Sequence, residues 1–275
     1  MITLFFSLST LLFFLIYSWG FSSFSLEVMN ILYWIVALFL GVLTSTLLLA
    51  LFLFTYGRFQ KGDQSANMKN HKVIMSFMRF LTRLLRLEFI VSGEENIPKN
   101  DPFIMVGNHQ TNIDIIATKP FIKNQPLVFI AKQSVFNWPI VGRLAGLIGN
   151  IPIKRLADRS AIEAIIKGIK AYKRGVPVMI YPEGKRSKSN EMVDFKAGAF
   201  KLATKPKAPI LVLSIYNFAN LWKKWPFVKR KVYMHFHEVI PPEFYEDMKT
   251  SELSKHIKAL IQTKLDEFSK QHDKR

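Results

Sequence analysis

The sequence contains no cysteine among its 275 residues. That excludes disulfides, cysteine nucleophiles and thiolate metal sites, and it fits a reducing compartment. Charge is also missing from one end. Between Met1 and Gly57 the only formal charge is Glu27, and there is no Lys or Arg at all. A secretory signal needs a cationic start and a small-residue cleavage site, so this N-terminus does not read as one. No internal repeat or low-complexity tract interrupts the chain, apart from the charged tail Lys270 to Arg275.

What fills the uncharged stretch is apolar. Ile2 to Trp19 is almost wholly so, and Ile31 to Tyr56 is a dense run. As a helix the second run would be about 39 Å long, against a bilayer core of about 30 Å. Residues 1–57 are therefore expected to be a membrane anchor made of two helices; one span plus an interfacial segment is the alternative. Arg58, Lys61, Lys69 and Lys72 follow immediately, which by the positive-inside rule puts the rest of the chain in the cytoplasm. All 38 Lys and Arg and 19 of the 20 Asp and Glu lie beyond residue 57, a surplus of 19 positive charges. Such a surplus attracts polyanions: nucleic acid, anionic lipid or an acidic protein. On a membrane-tethered domain the lipid surface is the favoured target, and nucleic acid is not expected as a partner.

Gly62 to Asn67 is polar and reads as a linker. Ile74, Phe77, Met78, Leu81, Leu84 and Leu85 then recur at helical spacing, with Arg79, Arg83 and Arg86 opposite. Residues 58–86 are read as linker plus a basic amphipathic helix, seated either in the membrane interface or on the core. From residue 87 to 275 short apolar runs alternate with helical patterns. Strands are expected at Leu87–Val91, Pro102–Val106, Leu127–Ala131, Ile148–Ile153, Val176–Ile180, Pro209–Ile215 and Val232–Phe236. Ala161 to Arg174 is an amphipathic helix stopped by Gly175, with Ile162, Ile165, Ile166 and Ile169 assigned inward. Phe195 opens another helix ending near Lys205, and Ser251 to Phe268 closes the chain as a third. Strands this apolar are covered on both faces, so the class is α/β: a mostly parallel or mixed sheet under helices, with N-terminal membrane helices.

Polar chemistry collects where strands end. Asn108-His109-Gln110-Thr111-Asn112-Ile113-Asp114 follows the second strand and Gly107. On one continuous helix His109 and Asp114 would stand about 140° apart. At a strand-to-helix turn the chain folds back, letting Asp114 bind one ring nitrogen and leaving the other as a general base. Lys154 and Arg155 end the fourth strand, and Glu183, Lys185 and Arg186 follow the fifth. A base with several cations at one end of a sheet suits an anionic substrate whose hydroxyl is deprotonated. Two other clusters are read more plainly. His235 and His237 share a strand face without a third ligand, and are assigned as ordinary strand histidines. Trp222, Lys223, Lys224 and Trp225 form either a membrane-interface patch or a loop with buried indoles.

These residues resemble a known family. Asn108-His109 with Asp114 is similar to the HxxxxD motif of the glycerolipid acyltransferases. Gly149-Asn150-Ile151-Pro152-Ile153-Lys154-Arg155 looks like its second block, and Tyr181-Pro182-Glu183-Gly184-Lys185-Arg186-Ser187 like its third. Phe195-Lys196 and Gly198 follow where the family has them. In size and layout the resemblance is to the members that acylate 1-acylglycerol 3-phosphate, and it covers about residues 70 to 245. Lys185 stands where the family has Thr, and Val212 where its fourth block has a proline.

The resemblance implies an O-acyltransferase that moves an acyl chain from acyl-CoA or acyl-carrier protein to the sn-2 hydroxyl of lysophosphatidate. His109 would be the base and Asp114 its partner. Arg155, Arg186 and Lys185 would hold the phosphate, Glu183 would orient those cations or the glycerol, and Gly184 and Ser187 complete the binding loop. The N–H groups of the Gln110 to Asn112 turn are candidates for the oxyanion. Gly107 is assigned to a tight turn. No metal, cofactor or acyl-enzyme is called for. The rival expectations are another acceptor, glycerol 3-phosphate or a different lysolipid, and a non-catalytic membrane-tethered protein that binds polyanions or lipid.

Overall fold

The central strands alternate between two apolar layers, and that alternation organises the molecule. The computed structural model describes residues 1–19, 28–59, 64–111, 114–154, 158–187, 189–218 and 228–272. Its strands are β1 (Leu87–Ser92), β2 (Ile104–Gly107), β3 (Val128–Lys132), β4 (Ile151–Ile153), β5 (Val178–Ile180), β6 (Ile210–Tyr216) and β7 (Arg230–Phe236). Its helices are α1 (Ile2–Ser18), α2 (Val28–Phe59), α3 (Met68–Leu84), α4 (Asp114–Thr118), α5 (Val141–Leu147) and α6 (Asp158–Lys173). Three more follow: α7 (Lys201–Thr204), α8 (Pro242–Tyr245) and α9 (Thr250–His272).

The seven strands form one sheet in the order β1-β7-β6-β2-β5-β3-β4. From β6 to β4 all neighbours are parallel, whereas β7 runs antiparallel to β6 and β1 parallel to β7. The sheet is therefore mixed, with helices on both faces, as the apolar strands require. On one face Ile104, Val106, Val128, Ile130, Val178, Ile180, Ile210 and Val212 meet Ala164 and Ala171 of α6, Leu202 of α7 and the Leu253, Ile257, Ile261 stripe of α9. On the other, Phe103, Met105, Phe129, Met179, Leu211, Leu213 and Ile215 meet Ile74 and Met78 of α3, Ile116 of α4 and Leu144 of α5. Ile2, Leu49 and Leu53 from the two N-terminal helices join this second layer.

The fold decides one assignment that periodicity left open and changes another. Helix α3, equally suited to a membrane interface, lies on the second layer with Ile74, Met75 and Met78 buried. Its arginines reach the neighbouring elements: Arg79 Nη2 donates to Pro120 O at 3.3 Å and Arg83 Nη1 to Thr3 Oγ1 at 3.0 Å. Helix α6 reverses part of its expected face, because Ile162 is 60% and Ile166 47% exposed. The residues turned to the sheet are small. A side chain at Gly168 would meet Leu202 Cδ1 at 2.6 Å, with Ile130 and Val178 just behind. Close seating on β3 and β5 thus selects the Ala164, Gly168, Ala171 stripe and turns the bulkier isoleucines outward.

Asn30–Phe59 within α2 is long and apolar enough to cross a membrane. Helix α1 has 17 residues and lies against it. Phe14 and Trp34 rings are 5.5 Å apart, and a side chain at Gly41 would meet Thr10 O at 3.0 Å. Much of α2 is uncovered, with Ile35, Phe39, Leu47 and Leu51 all more than half exposed. The C-terminal end of α2 is fastened to the domain: Tyr56 Oη donates to Asn70 Oδ1 at 2.6 Å, and the Arg143 guanidinium sits 4.1 Å over the Phe54 ring.

The polar linker is folded as well. Asn67 caps α3 by accepting from Lys69 N at 3.0 Å, and the buried His71 ring bonds Ser65 O through Nε2 at 2.8 Å. Burial, and then the positive charge of Lys119, push His71 down to about 3 against the raising effect of that bond. Burial pushes the fully enclosed Lys119 down to about 7. His237 is pushed down to about 4 by burial, then by His235 and Lys264, with Glu267 opposing.

Both histidines take up a proton near pH 6.5 when unfolded but only near 3 or 4 when folded. Between those values the unfolded chain binds more protons, so stability is full above about pH 6.5 and falls as pH drops toward 4. Each imidazole contributes a slope of about 1.4 kcal/mol per pH unit in that window. Urea midpoints measured from pH 7 to 4 should therefore decline, and His71→Gln should flatten the decline; an unchanged slope would contradict the assignment.

Candidate active site

Strand β2 delivers the site. A side chain at Gly107 would press on Leu213 O at 3.1 Å and Met179 Cε at 3.2 Å, so glycine is needed for the close approach of β6. It is the last residue of the strand rather than part of the tight turn expected there. Asn108 then locks the strand end. Its amide donates to Ile215 O and its carbonyl accepts from Ile215 N, both at 2.8 Å, in the manner of one more backbone pair. His109 is thereby held beyond the sheet at the C-terminal ends of the parallel strands, where open α/β sheets place ligands.

The chain folds back at this point, and Asp114 closes the turn from the first residue of α4. Asp114 Oδ2 lies 2.7 Å from His109 Nδ1 and accepts from Gln110 N at 2.8 Å. Oδ1 accepts from Thr111 N at 2.9 Å and from Thr111 Oγ1 at 2.5 Å. The carboxylate is fully buried and carries four hydrogen bonds, so its charge is compensated where it sits. An acceptor at Nδ1 requires the proton on that nitrogen, which leaves the lone pair on Nε2. With 23% of its side chain exposed, His109 can present Nε2 to a substrate. That is the geometry a general base needs.

Tyr181, beyond the end of β5, stacks on the imidazole with ring centroids 4.5 Å apart and planes 18° from parallel. Its phenol is held well above its ordinary range by burial and by the charge of Asp114. The tyrosine is in the third sequence block, but nothing in its spacing announced a ring stacked on His109. Gln110 was also unremarked as a support. Its Oε1 accepts from Phe218 N at 2.7 Å, and its Nε2 donates at 3.1 Å to Asn190 Oδ1, which also accepts from Asn217 N.

The third block folds over the same turn. Glu183 is buried; Oε1 accepts from His109 N at 2.7 Å and Oε2 from Val193 N at 2.9 Å. It therefore holds the backbone of the base and the loop after it, where the sequence suggested that it oriented cations or glycerol. Burial raises its carboxyl above the ordinary range, against the lowering effect of these two bonds. Gly184 has φ +65°, and a side chain there would run into the Lys196 arm at 3.0 Å. Lys196 is thus a further cation beside this loop. Ser187 binds His109 O twice, through N at 2.9 Å and Oγ at 3.2 Å. Its hydroxyl is committed to the protein rather than to a ligand.

Lys185 and Arg186 lie between these anchors and are exposed. Arg155 lies outside the described residues, as do Asn112 and the Trp222 to Trp225 patch. Lys154 N, before Arg155, donates to Ser160 Oγ at 2.9 Å and fixes that strand end to α6. Of the turn expected to hold an oxyanion, the Gln110 and Thr111 N–H groups are otherwise engaged, because both point at Asp114. His235 and His237 bond the hydroxyls of Ser92 and Ser214, each at 2.8 Å. Among the described residues no group of three or more His, Asp or Glu is placed to hold a metal.

Known proteins resemble this chain in sequence and in fold. The family model described as Acyltransferase matches residues 88–216. The chain is 33% identical over 186 residues to the 1-acyl-sn-glycerol-3-phosphate acyltransferase of Borreliella burgdorferi, covering 66% of this chain and 74% of that one. To the enzyme of that name from Salmonella typhimurium it is 31% identical over 175 residues, covering 61% and 69%. The crystal structure of the 1-acyl-sn-glycerophosphate (LPA) acyltransferase of Thermotoga maritima superposes with a TM-score of 0.65 at 27% identity, covering 79% and 87%.

Removing the Glu183 carboxylate leaves two enclosed N–H groups without acceptors, at about 1–3 kcal/mol each. Glu183→Ala should lower stability by at least about 2 kcal/mol in urea unfolding, and Glu183→Gln, which keeps one acceptor oxygen, should recover part of it. A midpoint for Glu183→Ala equal to wild type would contradict the role assigned to those bonds.

Proposed function

The chain belongs to the acyltransferase family, and from that premise we propose how its residues carry the reaction. It is an O-acyltransferase that acylates the free sn-2 hydroxyl of 1-acylglycerol 3-phosphate, making phosphatidate for phospholipid synthesis. The observation that carries the mechanism is the His109–Asp114 pair at 2.7 Å, with Nε2 left to face a substrate.

His109 Nε2 takes the proton of the acceptor hydroxyl as its oxygen attacks the carbonyl carbon of an acyl thioester. The tetrahedral intermediate collapses with cleavage of the C–S bond, and the departing sulfur takes the proton back from the imidazolium as a thiol. Asp114 keeps the tautomer and lies against the positive charge that His109 acquires. Help of this kind is worth about 10²–10⁴-fold. The thioester is already activated, so no covalent acyl-enzyme is needed. Tyr181 limits the imidazole to one plane, and Glu183 and Ser187 hold its backbone; these three position the base.

The acceptor's phosphate has a matching set of cations. Arg186 and Lys185 stand next to Ser187, which is bonded to His109 O, so an anion held there lies beside the base. Arg186 can engage two phosphate oxygens with its planar fork, and Arg155 is assigned to the same phosphate by its place after β4. Fixing the phosphate sets the distance from the hydroxyl to Nε2. The acyl donor is a thioester of coenzyme A or of an acyl-carrier protein, and both are polyanions suited to a chain of net charge +18.

Residues 1–57 are assigned as the anchor and residues 87–275 as the catalytic domain, with α3 between them resting on the sheet. The exposed apolar surface of α2 supports a seat in the bilayer, where a lysolipid acceptor resides. Arg58 and the cations after it support a cytoplasmic side for the domain.

The test is acyl transfer by purified, detergent-solubilised full-length protein. Wild type should convert lysophosphatidate to phosphatidate, and His109→Ala should lower kcat by at least about 10²-fold with the fold intact by circular dichroism. Arg186→Ala should raise KM for lysophosphatidate by about tenfold. Unchanged turnover in His109→Ala would sink the mechanism, and acylation of glycerol 3-phosphate in place of lysophosphatidate would move the acceptor.

A further inference from the structure

Helix α6 carries a feature that the reaction does not use. The Ala164, Gly168, Ala171 stripe faces the sheet, so the opposite side presents Arg159, Ile162, Ile166, Lys170 and Lys173 along one line of the helix. Ile162 and Ile166 are one turn apart and stand 60% and 47% exposed. Among the described residues these two branched apolar side chains, on consecutive turns, are left exposed outside the core on that face. Lys167 adds a cation at the flank, and Glu163, the acid within this face, is 3.5 Å from Arg159. The result is an apolar pair bordered by cations.

Position limits what this face can meet. The seven-stranded sheet lies between α6 and the layer that carries α3, α4, α5 and the two apolar N-terminal helices. The face therefore points away from the side on which a bilayer would lie, which favours a soluble partner over lipid. Its first turn is also at the catalytic end of the sheet. Strands β2 and β4 end at the same side, and β4 is three places from β2, about 14 Å at ordinary strand spacing. The bond from Lys154 N to Ser160 Oγ fixes the start of α6 to the end of β4. The start of α6 is then at the same end of the sheet as His109. A small thioester would use the cations and gain nothing from the isoleucines, whereas an acidic protein with an apolar patch uses both.

We propose that the outward face of α6 docks an acidic protein that carries the acyl chain as a thioester, with Ile162 and Ile166 as its apolar centre and Arg159, Lys170 and Lys173 as its charged rim. The proposal rests on the acyl-transfer reading and chooses between the two donors that reading allows.

The experiment compares palmitoyl-acyl-carrier protein with palmitoyl-CoA as donors to lysophosphatidate, using the full chain in detergent. The variants are Ile162→Glu with Ile166→Glu, and separately Lys170→Glu with Lys173→Glu; all substituted side chains are exposed, and thermal unfolding checks the fold. Both variants should raise KM for the carrier donor by about tenfold or more while leaving kcat and KM for palmitoyl-CoA within about twofold. Added salt should raise the wild-type KM for the carrier, and less so in the lysine variant. An unchanged carrier KM, or an equal rise for both donors, would overturn the proposal. Wild-type turnover of palmitoyl-CoA without turnover of the carrier would overturn it and leave the acyl-transfer reading standing. Loss of liposome binding with carrier kinetics unaltered would give the face to a membrane and overturn it too. Failure with both donors would remove the acyl-transfer reading itself.

Discussion

A buried carboxylate cannot keep its charge without partners, and Asp114 is supplied with four. The N–H groups of Gln110 and Thr111, the Thr111 hydroxyl and the His109 ring converge on its two oxygens. Those bonds determine the path of the turn after β2, because the backbone must wind around the carboxylate to reach it. They also determine the histidine tautomer. The same interaction therefore shapes the loop and fixes the orientation of His109, and the surrounding residues are arranged to keep it so. Asn108 fastens the turn to β6, Tyr181 covers the ring, and Glu183 holds the His109 amide.

This arrangement has a consequence for the reaction. The Gln110 and Thr111 N–H groups, spent on a buried carboxylate, are not available to an oxyanion. Rigidity of the base has been gained from the donors that the loop would otherwise present to the intermediate. The third block adds to that rigidity through Glu183 and Ser187, both committed to His109 backbone atoms, while its cations Lys185 and Arg186 remain exposed for an anion. Division of labour within one short loop follows from burial alone: the enclosed residues brace the base, and the exposed ones are free to bind.

The sheet separates two environments. On one side lie α3, α4, α5 and the apolar helices that suit a bilayer; on the other lie α6, α7 and α9. The catalytic turn is at the edge between them, where the parallel strands end. A lipid acceptor approaching from one side and a soluble donor from the other would meet at that edge. The contacts of α2 with α3 and α5, through Tyr56 and Phe54, make the end of this apolar helix part of the body rather than a loose tether.

Much of this was legible in the chain itself. Apolar runs that alternate with helical patterns give an α/β fold, because strands buried on both faces have no other way to be covered. An uncharged apolar stretch gives a helix long enough to cross a membrane, and His109 five residues before Asp114 at a strand end gives a ring bonded to a carboxylate. Those are local or compositional facts. What required the tertiary structure was the choice of partner for groups with several suitable ones. Glu183 could have held a cation, yet two backbone N–H groups were nearer once the loop closed. Ile162 and Ile166 fit a buried stripe by period, yet small residues at Ala164, Gly168 and Ala171 let the helix sit closer and took the inner face. The antiparallel β7, and α3 lying on the sheet, likewise follow from which surfaces meet. Sequence determined the kind of element and the chemistry each residue carries; the fold decided which of them touch, because contact between residues far apart in the chain is set by packing and not by periodicity.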